Sequence, residues 1–142
     1  MRRASGQMGL VALALGVAAL AACGGAEKAT AGRTAEIEMV DNAFRPSELT
    51  VARGQTVNFR FKNNGTLPHD AFIGDAEAQK EHGETMRSGS GGHAGHGSEG
   101  LTVAPGQTGE LTYTFDEAGQ IEIGCHQPGH YESGMKVTVN VT

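Results

Sequence analysis

Residues 56–61 read Thr-Val-Asn-Phe-Arg-Phe, so that Val57, Phe59 and Phe61 alternate with Asn58 and Arg60. An apolar side chain at every second position is the period of a strand with one buried face and one wet face. The same period recurs on both sides. Ile37, Met39 and the Phe44 region predict a first edge, and Glu48-Leu49-Thr50-Val51 leads into the turn Ala52-Arg53-Gly54. Downstream, Ala71-Phe72-Ile73 is a short apolar run after His69, and Leu101-Thr102-Val103 precedes Ala104-Pro105-Gly106. Leu111, Tyr113 and Phe115 alternate with threonines, Ile121 and Ile123 approach Cys125, and Val137, Val139 and Val141 end the chain in strict alternation. With 22 Gly, 4 Pro and no Trp in 142 residues, a long-helix bundle is disfavoured and short strands joined by turns are expected. The pattern predicts an all-β sandwich or barrel of seven or eight strands.

Two segments start alike, Leu49-Thr50-Val51-Ala52-Arg53-Gly54-Gln55-Thr56 and Leu101-Thr102-Val103-Ala104-Pro105-Gly106-Gln107-Thr108, and differ at a single position. An internal repeat is one explanation. The simpler one, preferred because the match stops there, is that both are a strand, a tight Gly turn and a return strand. The domain is expected over residues 34–142, or 142 − 33 = 109 residues, enough for one sandwich core. It is interrupted by a His- and Gly-rich insertion at about residues 75–100. Residues 76–87 carry the charge and helix formers of a short surface helix. Residues 88–100, SGSGGHAGHGSEG, contain six Gly and three Ser and cannot bury an apolar face, so mobility is expected there.

The chain begins with a different signal. Arg2 and Arg3 precede an apolar run of 15 residues, 8–22, shorter than the ~20 residues a bilayer span needs. A basic start, an apolar centre and small residues describe an export signal. The run ends Leu20-Ala21-Ala22-Cys23, followed by two glycines. This resembles a bacterial lipoprotein signal over residues 1–22, which implies acylation of Cys23 as the mature N-terminus. The competing reading is an ordinary cleaved signal with an incidental cysteine; small residues directly before Cys23 favour lipidation. Residues 23–33 are small and polar and read as a flexible tether. An exported, lipid-anchored protein on the extracytoplasmic face of a bacterial envelope is therefore expected.

Charge and cysteine count exclude other classes. Sixteen acidic residues outnumber 11 basic ones, and the basic ones are scattered, which argues against nucleic acid as a partner. Removal of residues 1–22 takes Arg2 and Arg3, leaving 11 − 2 = 9 basic against 16 acidic groups, a net charge of −7. Two cysteines are too few for a disulfide scaffold. If Cys23 carries lipid, Cys125 is the one free thiol, and a lone thiol in an oxidising compartment pairs, oxidises or binds a metal.

Residues 125–135 read Cys-His-Gln-Pro-Gly-His-Tyr-Glu-Ser-Gly-Met, placing Cys125, His130 and Met135 at intervals of five between two strands. A loop containing Pro128, Gly129 and Gly134 can fold a thiolate, an imidazole and a thioether around one point. A fourth ligand is needed, and His69, which follows Pro68 at the start of a strand, supplies it. Soft sulfur ligands beside imidazoles favour copper over hard ions such as calcium or magnesium. Four protein ligands also keep water and substrate off the metal, which suits electron transfer and disfavours hydrolysis. Glu122 stands three residues before Cys125 where haem attachment requires a second cysteine, and a dinuclear copper centre would need another loop cysteine. His126 is left out of the ligand set because the extended chain points it elsewhere.

With these residues in place the chain resembles the cupredoxin, or blue copper, family, which includes plastocyanin, azurin, auracyanin and rusticyanin. The Cys-x4-His-x4-Met spacing is most like that of the auracyanin and rusticyanin members. The resemblance covers about residues 34–142 and implies a Greek-key β-sandwich of about eight strands with one type 1 copper ion at one end. It implies imidazole ligation by His69 and His130, a short sulfur bond from Cys125 and axial Met135. It also implies that His130 lies near an apolar surface through which electrons pass. One position departs from the pattern: after the first histidine the family often has Asn, which helps tie the two ligand loops, and here it is Asp70. An ionised carboxylate cannot donate that hydrogen bond, and its charge near the metal favours the oxidised ion.

The function expected is therefore one-electron transfer by copper shuttling between Cu(I) and Cu(II). The resemblance implies redox protein partners such as a cytochrome or a terminal oxidase or reductase, and a monomer is expected. The alternative is copper handling, by delivery or buffering, with His82, His93 and His96 as a weak secondary metal-binding set near Met86. No enzymatic activity is expected, because catalytic relatives join such domains and add histidines for a second copper.

Overall fold

The computed structural model describes residues 32–89 and 98–142. Along the chain lie β1 (Arg33–Val40), β2 (Ala43–Arg45), β3 (Glu48–Val51), β4 (Thr56–Asn63), β5 (His69–Gly74), α1 (Ala76–Arg87), β6 (Gly100–Val103), β7 (Thr108–Thr114), β8 (Gly119–Gly124) and β9 (Lys136–Val141). The strands form two sheets, ordered β2-β1-β4-β7 and β3-β9-β8-β5-β6. Two pairings, β1 with β4 and β3 with β9, are parallel; the others are antiparallel. The expected all-β sandwich is present, with nine strands among the described residues where about eight were expected. The added strand comes from the first edge, which folds back on itself. Asn42 takes a positive φ of 62° in the turn after Val40, and Val40 then pairs with Ala43.

The alternation in β4 is realised in the core: Val57, Phe59 and Phe61 are fully buried. Phe59 stacks on Phe61 at 6.0 Å and meets the edge of Phe115 at 6.1 Å. Ile73, Ile123, Val137 and Val139 bury the facing side of the other sheet. The two similar segments play equivalent parts. Each leads from an edge of the five-stranded sheet, β3 or β6, into a strand of the other sheet, β4 or β7. Each turn is closed by a backbone hydrogen bond at 3.0 Å, Gln55 N–H to Ala52 C=O and Gln107 N–H to Ala104 C=O.

The helix expected over residues 76–87 is present with those bounds, capped by Asp75, whose carboxylate accepts from the Ala78 N–H. It is more than a surface helix, because Gln79, His82 and Gly83 are buried. β1 begins at Arg33, one residue earlier than the expected boundary, and the Arg33 guanidinium donates to Thr50 C=O at 3.2 Å. Among the described residues no helix is long and apolar enough to cross a membrane. The export signal, Cys23, the tether up to residue 31, His93 and His96 lie outside the described residues.

Topology already brings two chemical groups together. His69 is the first residue of β5 and Cys125 directly follows β8, and these strands are antiparallel neighbours. Both side chains therefore arrive at the same end of the sandwich.

Candidate metal centre

His69 is delivered by a turn that Asn63 organises. The Asn63 side chain donates to Leu67 C=O at 2.8 Å and Val103 C=O at 2.9 Å, and accepts from the Gly65 N–H at 2.9 Å. A buried amide with its donors and acceptor satisfied fixes the path of residues 63–67 into Pro68 and His69. Sequence reasoning passed over Asn63, because an Asn at a strand end reads as an ordinary turn residue.

The loop of residues 125–135 folds back on itself. The Cys125 N–H donates to Met135 C=O at 3.1 Å, and the Met135 N–H donates to His130 C=O at 3.0 Å. Gly129 and Gly134 take φ values of 80° and 96°, which glycine adopts without a Cβ penalty. The two ends of the loop are thus held together by backbone bonds, and Met135 is fully buried beside Cys125.

His69, Cys125 and His130 converge, each offering one ligand atom, with all three atoms within 4.8 Å of one another. The Cys125 Sγ lies 3.5 Å from His130 Nδ1 and 3.9 Å from His69 Nδ1. The two imidazole rings are 5.2 Å apart. His69 and Cys125 are fully buried, and His130 is 9% exposed. Burial pushes the Cys125 thiol up to about 11, against the opposing effect of N–H groups from Asp70 and Gln127. Burial, and then the neighbouring His130, holds His69 below its ordinary value, while Asp41 pulls the other way. A buried thiol between two imidazoles lacks the cation that its thiolate form requires, and a metal ion supplies that charge. Two imidazoles and a thiolate on one buried point fit a single type 1 copper ion and suit neither calcium nor magnesium.

Asp70 ties the ligand elements in a way the sequence did not reveal. It is fully buried. Its N–H donates to Cys125 Sγ at 3.4 Å, while its carboxylate accepts from Gln127 Nε2 and from Thr102 Oγ1 at 2.7 Å. The tie between β5 and the ligand loop is made with its donor on the loop, at Gln127.

Two of the remaining histidines, His126 and His82, lie against each other. His126 is turned away from the three converging donors: its Nε2 meets Gln79 Oε1 at 2.7 Å, and its ring stacks on Tyr131 at 4.6 Å. Burial, and then the neighbouring His82, holds it down at about 4. His82 lies on α1, where its ring stacks on Phe72 at 4.0 Å and meets His126 at 5.1 Å. It is 7% exposed and belongs to a packed helix-sheet contact. Gln79 was overlooked: it is 1% exposed and donates to Phe72 C=O at 3.0 Å and Glu122 C=O at 2.8 Å. A polar residue within a charged helix carries no signal that distinguishes it from solvated neighbours.

Residues 31–142 match the family of copper binding proteins described as plastocyanin/azurin. Copper-resistant cuproprotein CopI of Pseudomonas aeruginosa is 36% identical over 138 residues, with 78% of this chain and 76% of that protein covered. The protein of the same name in Rubrivivax gelatinosus is 38% identical over 111 residues, covering 77% of this chain and 66% of the relative. Reduced auracyanin from Roseiflexus castenholzii shares the fold, with a TM-score of 0.69, 24% identity, and coverage of 78% of this chain and 98% of that one. By its fold, its converging His, Cys and His donors and these matches, the chain belongs to the plastocyanin/azurin family of copper binding proteins.

Proposed function

We propose that this protein is a lipid-tethered, one-electron copper carrier of the bacterial cell envelope. The observation that carries the proposal is the burial of His69 Nδ1, Cys125 Sγ and His130 Nδ1 around one point on strands and loops already bonded to one another. Copper bound there supplies a Cu(II)/Cu(I) couple. The protein's part is to hold the donors still: Asp70 N–H on the sulfur, Asp70 and Gln127 joining the two ligand segments, and backbone bonds closing the loop. Donors that move little between oxidation states suit fast electron exchange, and proteins of this fold with this donor set are typically carriers, not catalysts. Met135, fully buried at the end of the loop, would offer its thioether as the fourth donor.

Electron exchange with a cytochrome or with a terminal oxidase or reductase is proposed through the surface next to His130. Leu67, two residues before His69, is 49% exposed, the one large apolar side chain so exposed among the described residues. Support for the envelope location comes from the basic start, the 15-residue apolar run and Leu20-Ala21-Ala22-Cys23. A single acyl chain anchors only marginally, so more than one chain is expected on Cys23.

Copper handling is the second reading, favoured by the name of two relatives, copper-resistant cuproprotein. Loading kinetics separate the two. In a carrier, replacing His93 and His96 with Ala leaves the visible spectrum, the midpoint potential and the rate of apo-protein loading unchanged. A several-fold slower loading under limiting copper, with unchanged electron exchange, would place copper delivery first. A strong thiolate-to-copper band that persists in Cys125→Ser would remove the copper site from both readings.

A further inference from the structure

His69 presents a second nitrogen that the ligand set leaves unused. Its Nδ1 faces the Cys125 sulfur, and its Nε2, on the far side of a fully buried ring, has no hydrogen-bond partner among the described residues. An imidazole that gives Nδ1 to a metal carries its proton on Nε2, so this atom becomes a buried donor in need of an acceptor. One acceptor is nearby. Asp41 Oδ1 lies 3.6 Å from His69 Nε2, just beyond hydrogen-bond distance.

The carboxylate does not reach that place by chance rotation. Thr66 holds both oxygens, its N–H donating to Oδ1 and its hydroxyl to Oδ2, each at 2.8 Å. Those two bonds also keep the Asp41 carboxyl below its ordinary value, in the charged form. Gly65 makes the approach possible: a Cβ there would lie 2.5 Å from Asp41 Oδ1 and 3.0 Å from His69 Nε2. Asp41 belongs to the turn between β1 and β2, so the four-stranded sheet contributes a charge to a site built on the five-stranded one.

We propose that Asp41 is a positioning residue for the metal, accepting a hydrogen bond from the His69 Nε2–H once Nδ1 is engaged and thereby fixing the ring and favouring Cu(II) over Cu(I). The inference rests on the copper reading above. A fixed carboxylate raises the basicity of the imidazole it contacts and stabilises the more highly charged ion behind it. Without this role, Asp41 would serve only to pin the turn through Thr66.

Midpoint potentials of copper-loaded Asp41→Asn and Thr66→Val, against the unaltered protein, separate these roles. Asp41→Asn is expected to shift the Cu(II)/Cu(I) equilibrium roughly tenfold toward Cu(I), equivalent to 59 mV for a one-electron couple. Thr66→Val removes a bond to Asp41 and keeps its charge, so its shift should stay under about twofold on the same scale. Equal potentials in Asp41→Asn and the unaltered protein, with the thiolate-to-copper band intact, would overturn the proposal. An absent band in the unaltered protein would instead overturn the copper reading on which it rests. NMR of the unaltered Zn(II)-loaded protein provides a test that needs neither copper nor a folded variant. A slowly exchanging His69 Nε2–H is expected, and a rapidly exchanging one would count against Asp41.

Discussion

Gln127 donates its side-chain amide to both oxygens of the Asp70 carboxylate, each at 3.0 Å. The bond joins the loop that carries Cys125 and His130 to the strand that starts with His69. Replacing Gln127 with Leu leaves the buried carboxylate one donor group short, and a loss of about 1–3 kcal/mol in unfolding free energy is expected. The less compensated negative charge beside the metal should also lower the midpoint potential, whereas Asp70→Asn should raise it. The double variant Asp70→Asn with Gln127→Glu rebuilds the tie with donor and acceptor exchanged. Denaturant unfolding should find it more stable than the sum of the two single losses. Simple additivity would mean that the two side chains are not coupled.

Gln79 is expected to hold α1 on the sheet without touching the metal. Its amide satisfies carbonyls of Phe72 and Glu122 and its oxygen meets His126. Gln79→Ala removes these bonds from a part-buried contact, at a cost of about 1–3 kcal/mol. The thiolate-to-copper band should keep its position, because the helix reaches His126 and none of the converging donors. A large spectral change in a folded Gln79→Ala protein would show that α1 shapes the metal site as well.

Metal uptake should release a proton from Cys125 at neutral pH. Its thiol, pushed up to about 11, is protonated in the metal-free protein, and the metal binds the thiolate. His69, held below its ordinary value, adds less to the count than an ordinary imidazole would. Apparent affinity should therefore rise about tenfold per pH unit between neutrality and about pH 11 on account of this one group. Calorimetry of Zn(II) binding in buffers of different ionisation enthalpy counts the protons. A count near zero for the unaltered protein, equal to that of Cys125→Ser, would contradict the expected thiol state.

Stability of the metal-free protein should fall as pH drops from 6.5 toward about 4, the folded-state value of His126. The sign follows from linkage. The imidazole binds a proton more weakly in the folded chain than in the unfolded one, so acid favours unfolding through that window and the effect levels off below it. His69 is lowered in the same direction and contributes to the same slope. Thermal unfolding of His126→Gln followed across this range should show a shallower decline than the unaltered protein. Equal slopes would mean that solvent reaching the half-buried ring screens the effect away.

Alternation of apolar side chains was enough to place the strands, because burial of one sheet face is a property each strand carries locally. Val57, Phe59 and Phe61 announced β4 without reference to any other segment. The pairing of Cys125 with His130 was legible for a similar reason: a short loop brings its own members together. The helix at residues 76–87 could be read from its composition, yet nothing in it marked Gln79 and His82 as the residues that would be buried. Which distant groups meet depended on strand register and on the crossing of two sheets. Pairing β5 with β8 placed Asp70 against Cys125 and Gln127, and the β1–β2 turn placed Asp41 behind His69. The chain alone determined the fold class and pointed to His69, Cys125 and His130, the donors that converge. The tertiary structure decided the polar groups around those donors, because hydrogen bonds and charges act over a few ångströms in space and leave no period in the sequence.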